Sequence, residues 1–491
     1  IVLARIIGSG DGADAFYVAF KIPNFMRRLF AEGAFAQAFV PVLSEYRANG
    51  THAAVKALVD RVAGGLGFVL LSVTLLVLAA SPVVAAIFAP GFMADEAKFA
   101  LTTDLIRITF PYLMLISLTG FAGAILNSYD RFAVPALTPV LLNVSLISAA
   151  LLASGEMAQP VYGLAFGVLA AGVFQLIFQL PFLVRLHLLP APKIDWQDSG
   201  VRRILALMVP ALFGVSVSQI NLLLDTVLAS LLPNGSVSWL YYSDRLAELP
   251  LGVFAIAIST VILPSLSRQH ASQDGDEFDR TLDWALRLIV LIGVPAGLAL
   301  IVLAKPILIT LFQYGEMTVS DIEMSTLSLR AYASGLLAFM LIKVLAPGYY
   351  ARQDMKTPVK IGVIAMVANM VLNVLFVAPL YFYFNVGHVG LALATAVSAY
   401  INAFLLYRGL RQRNIFKPEK GWSIWLTRCL CANASMLLVL ILFLANLDGW
   451  ESWQWGVRVS YLTALCLSGF LVYAGALLVG GMRLKDVKMG S

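Results

Sequence analysis

The sequence predicts an all-α integral membrane protein: about fourteen transmembrane helices, arranged as two parallel-repeat six-helix lobes around a central cavity, plus two C-terminal helices. Three observations predict it. Of 491 residues, 60% are hydrophobic and only 13% charged, against roughly 25% charged in a soluble domain. Apolar runs long enough to span a hydrocarbon core of about 30 Å, which needs about 20 helical residues, recur along the whole chain. Short motifs in the first half return in the second at nearly constant spacing.

Taken in order between charged or Gly/Pro-rich breaks, the runs fall near 1–22, 27–46, 62–88, 104–126, 134–154, 160–184, 204–231, 236–264, 282–311, 325–346, 358–380, 386–409, 422–445 and 458–481. The chain begins at Ile1 without Met, and the expectation is that part of the first span lies upstream. No signal-peptide pattern precedes it. Expected domains are 1–190, an N-terminal six-helix lobe with its first helix truncated; 191–415, a second six-helix lobe; and 416–491, two additional helices.

The loops orient the spans. One alternate set carries Arg47, Lys56 and Arg61; Arg185, Lys193, Arg202 and Arg203; Arg268 and Arg280; Arg352, Lys356 and Lys360; Arg408 to Lys420; and Arg483, Lys485 and Lys488. The other carries Asp95 and Glu96, Glu156, Glu316 with Asp321 and Glu323, then Asp448 and Glu451. The basic set belongs in the cytoplasm, which puts both termini there. The net charge of +6 is thus a topology signal, and nucleic acid is not an expected partner. Cys429, Cys431 and Cys466 all fall in apolar segments with no disulfide or zinc spacing, and read as buried, inert thiols.

The repeat is visible in three pairs: "IFAPGF" (87–92) with "LFQYGE" (311–316), "YDRFAVP" (129–135) with "RQDMKTP" (352–358), and "FVPVLSEY" (39–46) with "VILPSLSR" (261–268). Arg107 likewise answers Arg330. The offsets cluster near 223 residues and enclose six spans. An even number keeps both copies in one orientation, the parallel kind of repeat.

Ionisable residues at membrane depth cost roughly 2.5–3.5 kcal/mol on insertion scales and call for a reason. The densest stretch, "DAFYVAFKIPNFMRRLFAEGAF" (14–35), holds Asp14, Lys21, Arg27, Arg28 and Glu32, with Pro23 and Asn24 placed to break the helix between the first two spans. Its counterpart, "SVSWLYYSDRLAELPLG" (236–252), holds Ser238, Asp244, Arg245 and Glu248. Arg245 and Glu248 are i, i+3 neighbours, with Ser238 two turns earlier on a similar face. Snorkelling or internal ion pairing is one account of these charges. The other is an anion site. Arginine forks suit phosphate oxygens, and Arg27, Arg28 and Arg245, joined by Lys21, Asn24 and Ser238, are the candidates to bind an anionic cargo. Asp14, Glu32, Asp244 and Glu248 are candidate gating ion pairs.

A second constellation combines Asp225 in the seventh span, Asn369 and Asn373 at i, i+4 in the eleventh, and Thr395 in the twelfth. Carboxylate, amide and hydroxyl oxygens suit a monovalent cation, sodium or proton, for coupling. The same residues also serve as hydrogen-bonding glue between membrane helices. Gly64, Gly65 and Gly67 read as close helix packing, because no Walker pattern follows them. The four histidines lie in loops or at span ends. No nucleophile–base pair, metal cluster or acidic glycosyltransferase motif stands out, so a carrier is expected rather than an enzyme, with no cofactor beyond that cation.

The stretches 14–46 and 236–267, with "GAILNSYDRFAVPALTPVLLN" (123–143) and "KVLAPGYYARQDMKTPVKI" (343–361), closely resemble the MurJ (MviN) family of lipid II flippases. That family lies within the multidrug/oligosaccharidyl-lipid/polysaccharide exporter superfamily. The resemblance covers nearly the whole chain. It implies fourteen helices, a V-shaped cavity, alternating access, and lipid II, the undecaprenyl-pyrophosphate-linked peptidoglycan precursor, as cargo in a bacterial inner membrane. Membrane lipids are implied partners, as are proteins of cell-wall synthesis or division. The family's functional residues match Asp14, Arg27, Arg28, Ser238, Asp244, Arg245 and Glu248. Its arginines near the start of the first helix have no counterpart in these residues, and the groove it assigns to the lipid tail, beside spans thirteen and fourteen, is apolar here. The rivals are a flippase for another polyprenyl-linked glycan, a drug antiporter (which should carry excess acid in its cavity), a non-transporting cell-wall scaffold, and a membrane enzyme acting on lipid-linked sugars.

Overall fold

The apolar runs become helices, and the described residues contain no β-strand. The structure, a computed structural model, describes residues 1–28, 35–156, 159–445 and 449–483, without the side chains of 154–156, 210, 211, 213–219 and 222. Glu32, Asp448, Lys485 and Lys488 lie outside the described residues. Two compact units result, Ile1–Ser238 and Trp239–Ser491.

The first unit contains α1 (Val2–Ile7), α2 (Asp11–Met26), α3 (Ala36–Asn49), α4 (His52–Ala79), α5 (Ser81–Phe88), α6 (Glu96–Thr109), α7 (Tyr112–Ser128), α8 (Ala133–Glu156), α9 (Pro160–Arg185) and α10 (Ser199–Ser230). Helix α11 (Ser236–Pro250) starts at its end. The second unit continues with α12 (Ile256–Ala271), α13 (Gly275–Val302), α14 (Ala304–Phe312), α15 (Val319–Tyr350), α16 (Lys356–Phe384), α17 (Gly387–Gln412), α18 (Trp422–Ala445) and α19 (Trp455–Val479).

Eleven helical stretches among the described residues are long and apolar enough to cross a membrane. They coincide with the third to sixth and eighth to fourteenth expected spans. The other three fall on α2, α3 and α10. Helices α2 and α3, of 16 and 14 residues, are each shorter than the roughly 20 a crossing needs.

The expected helix break at Pro23 and Asn24 does not occur, because α2 runs through both. Proline deprives the Ala19 carbonyl of its helical donor, and the Thr109 hydroxyl, at 3.2 Å, donates to that oxygen instead. Asn24 Nδ2 donates to the Phe20 carbonyl at 2.9 Å. With both acceptors occupied the helix survives to Met26, then loosens into a π turn at Arg27 and Arg28.

The repeat is written into the element boundaries. α4 and α5 begin 223 residues before α13 and α14, and α8 begins 223 before α16. Asp95 caps α6 by accepting from Lys98 N, as Thr318 caps α15. Asp130 and Gln353, again 223 apart, both take φ 60° after the fourth span of each copy. Each unit has its own core. In the first, the Phe35, Phe39 and Phe121 rings cluster with centroids 5.1–6.0 Å apart; in the second, Tyr349 is fully buried and donates to the Leu406 carbonyl at 2.8 Å. Of the cysteines only Cys429 is buried. Cys431 and Cys466 are exposed, because they fall on outward faces of their helices, which correct the expectation of three buried thiols.

Candidate gate and substrate residues

A buried ionic junction lies at the start of α2. Asp14 is 1% and Lys98 3% exposed, and the Lys98 ammonium donates to Asp14 Oδ2 at 3.1 Å. Lys98 also reaches Asp11 at 2.9 Å and Asn234 Oδ1 at 3.0 Å, and stands 4.3 Å above the Phe92 ring. The Asp14 carboxylate accepts from Gly235 N at 2.8 Å, Ser238 N at 2.9 Å and the Ser238 hydroxyl at 2.6 Å. It therefore caps the first turn of α11 from a distance of more than two hundred residues, where orphan N–H groups and the positive end of the helix dipole favour an anion.

Local chemistry sets this up. The 3₁₀ turn Pro90–Ala94 brings Phe92 under Lys98, and it packs closely on the end of α10. A Cβ on Gly91 would stand 2.0 Å from the Ser230 carbonyl oxygen, so only glycine fits there. Gly91 N also donates to Ser230 Oγ at 3.3 Å. Burying a charge is costly unless it is paired and hydrogen-bonded; here both charges are.

Asp14 thus has an ion-pair partner, Lys98, and it is one that sequence reasoning missed. Lys98 follows Asp95 and Glu96, a base inside the acidic loop set, and that exception to the charge rule was the available signal. Asn234 and Gly235 gave none. Ser238, expected to face cargo, is fully buried with its hydroxyl on Asp14.

The other candidates are distributed as follows. Lys21 Nζ donates to Thr226 Oγ1 at 3.1 Å, and Arg27 and Arg28 are half-buried at the end of α2. In the second unit Arg245 meets Glu248 at 2.9 Å and Asp244 at 3.4 Å, with its guanidinium 5.3 Å from the Tyr241 ring centroid. The i, i+3 pairing read from sequence is present. Two carboxylates balance this one arginine, so the local charge on α11 is negative, whereas a surplus of base was expected. All three side chains are 31–44% exposed.

Asn369 and Asn373 are buried on one face of α16, where Asn373 Nδ2 donates to Asn369 Oδ1 at 3.1 Å. Asn369 Nδ2 points to Thr395 Oγ1 at 3.4 Å and Ser398 Oγ at 3.5 Å on α17. Sequence reasoning had missed Ser398. Asp225 is half-buried on α10, in the first unit. Gly64 and Gly65 pack closely, as expected, but against the loop after α9 rather than another helix: a Cβ on Gly64 would meet the Lys193 carbonyl at 2.2 Å. Arg107 pairs with Asp104 at 2.9 Å and donates to Ser81 Oγ at 2.8 Å.

The family model for the lipid II flippase MurJ matches residues 3–463. The probable lipid II flippase MurJ of Vibrio cholerae is 50% identical over 99% of this chain and 93% of its own length. The lipid II flippase MurJ of Burkholderia cenocepacia is 41% identical over 98% and 92%. Among solved structures, a lipid II flippase MurJ in an inward closed conformation superposes with a TM-score of 0.81, at 25% identity over 97% of this chain and 94% of that one. An inward-facing multidrug transporter of the MATE family shares the fold alone, with a TM-score of 0.67 at 16% identity over 84% and 97%. With the family model spanning nearly the whole sequence and relatives matching end to end, the chain belongs to the MurJ family of lipid II flippases.

Proposed function

We propose that this multi-pass membrane protein flips lipid II from the cytoplasmic to the periplasmic leaflet of a bacterial inner membrane by alternating access. It is a transporter and catalyses no covalent step. The single observation that carries the reading is the match along nearly the full length to the flippase family. The basic loop set supports cytoplasmic termini, and the repeat supports two like-oriented six-helix halves with α18 and α19 appended.

The cargo is a pyrophosphate-linked glycopeptide on a polyprenyl tail. Moving the tail out of lipid would cost about 0.8 kcal/mol per methylene, so only the headgroup needs a polar path. Arg27 and Arg28 on the first unit and Arg245 on the second are the proposed phosphate ligands, with Lys21 and Asn24 beside the first two. Arg245 would exchange Glu248 or Asp244 for the cargo's phosphate oxygens. Asp14, Lys98 and Ser238 form the proposed gate in its closed state, a reading supported by their burial and mutual contacts. Coupling to a monovalent cation through Asp225, Asn369, Asn373 and Thr395 is a secondary proposal; the amide–hydroxyl bonds seen there fit interhelical glue equally well.

The test is depletion of the native lipid II flippase in cells supplied with this protein. Rescue by the wild type, with lipid II inaccessible to an externally added cleaving enzyme in Arg28→Ala and Arg245→Ala at equal expression, supports cargo and site together. Equal rescue by all three removes the site assignment. Failure of well-expressed wild type points to a different polyprenyl-linked glycan.

A further inference from the structure

Each repeat contains an apolar pocket of nearly the same size in the same place. In the first unit a cavity of about 590 Å³ lies among α4, α7, α9 and the loop that follows α9. In the second, a cavity of about 580 Å³ lies among α13, α15, α17 and the loop that follows α17. Parts of the walls correspond: Gly67 with Val290, Leu118 with Leu341, and Leu180 with Ala403, each pair 223 residues apart. Both volumes fall within the range of about 300–1,000 Å³ typical of ligand pockets.

The loop that roofs each pocket is held by an equivalent buried aspartate. Asp60, 6% exposed, accepts from Ala191 N at 2.8 Å. Asp283, 223 positions on and 2% exposed, accepts from Glu419 N at 3.1 Å and Trp422 Nε1 at 2.7 Å. Each has a cation one helical turn away, Lys56 for Asp60 and Arg287 for Asp283.

The roofs share one more feature. Lys193 stands between the wall residues Pro192 and Ile194, and Lys417 between Phe416 and Pro418. Both lysines are exposed. Bases and acids alternate around each lysine: Arg61 pairs with both Asp195 and Asp198, at 3.3 and 2.9 Å, and Arg202 reaches the Trp196 carbonyl at 3.4 Å, while Asp279 accepts from Lys417 N at 3.0 Å and Glu419 is followed by the exposed Lys420. A tryptophan closes each motif, Trp196 and Trp422, the side chain preferred at membrane interfaces. The mouths open on faces of membrane-spanning helices where Phe68 and Phe404 are more than half exposed, so hydrocarbon is what can enter.

We propose that each repeat binds one diacyl phospholipid with a singly negative phosphodiester headgroup, its acyl chain in the pocket and its phosphate on Lys193 or Lys417. The first pocket forms without any residue of α18 or α19, which separates it from a tail groove beside those helices; the second is lined also by Trp422, the first residue of α18.

Native mass spectrometry of the full chain in detergent, titrated with synthetic phosphatidylglycerol or phosphatidylcholine, tests this. The wild type retains two phosphatidylglycerols in preference to phosphatidylcholine. Gly67→Phe, at a position with no atom within 4 Å of a new Cβ, and Val290→Trp each remove one, and the double variant removes both. Lys193→Glu with Lys417→Glu, both on the surface, weakens phosphatidylglycerol retention about fivefold or more per site and leaves phosphatidylcholine unchanged. Equal retention of the two lipids, or undiminished retention by the double-filled variant, overturns the proposal; so does a dimer mass whose loss accompanies pocket filling. The measurement contains no lipid II, so its failure leaves the flippase reading intact, and the reverse also holds.

Discussion

Replacing Asp14 by alanine is the sharpest perturbation of the proposed gate. It removes the acceptor for four hydrogen bonds, from Gly235 N, Ser238 N, Ser238 Oγ and Lys98 Nζ. Each buried N–H left unpaired costs about 1–3 kcal/mol, and removing one partner of a buried ion pair costs about 3–5 kcal/mol. These costs overlap, because Lys98 keeps Asp11 and Asn234 and the loosened turn can find water; neighbouring effects do not add. About 3–5 kcal/mol is the expected loss of the junction, or roughly 10²- to 10⁴-fold in its opening equilibrium at 1.4 kcal/mol per factor of ten. The assay is labelling of an Ala13→Cys reporter, fully buried in the wild type, by a membrane-impermeant maleimide in intact spheroplasts. Asp14→Ala should speed labelling at least a hundredfold, and Asp14→Asn, which keeps a carbonyl acceptor but no charge, by less. Labelling at the wild-type rate in Asp14→Ala, with growth still supported, would refute the gate.

Lys98→Met keeps most of the side chain's length but removes the counter-charge of the Asp14 carboxylate; labelling of the same reporter should rise, and adding Asp14→Asn to Lys98→Met should recover part of the loss. Gly91→Ala puts a methyl group where the Ser230 carbonyl stands, and the expected result is faster reporter labelling without loss of membrane expression. Gly64→Val should lower the melting temperature in detergent sharply, because its Cβ meets the Lys193 backbone, while Gly67→Val, facing open space, should not. Asn369→Leu should lower stability by about 0.6–1.7 kcal/mol if it is interhelical glue. A sodium-specific rise in melting temperature that disappears in this variant would instead establish a cation site.

The sequence by itself determined the helical membrane class, most of the spans and the repeat, because all three are one-dimensional patterns: apolar run length, loop charge and a constant offset. It determined Arg245 with Glu248, and Asn369 with Asn373, because helical spacing alone puts i, i+3 and i, i+4 neighbours on one face. It placed candidate charges on α2 and α11 through the cost of an ion in lipid and through resemblance. Tertiary structure decided the partners. Lys98 is 84 residues from Asp14 and Ser238 is 224 away, and no local period relates them. Helix α2 continues through Pro23 because Thr109, 90 residues on from Ala19, supplies the missing donor, which only packing can provide. Asp60 and Asp283 were visible as letters at the repeat offset, yet their work on the two roof loops depends on where the chain returns after α9 and α17. Charge and hydropathy specify which residues must be buried or paired; three-dimensional packing decides with whom.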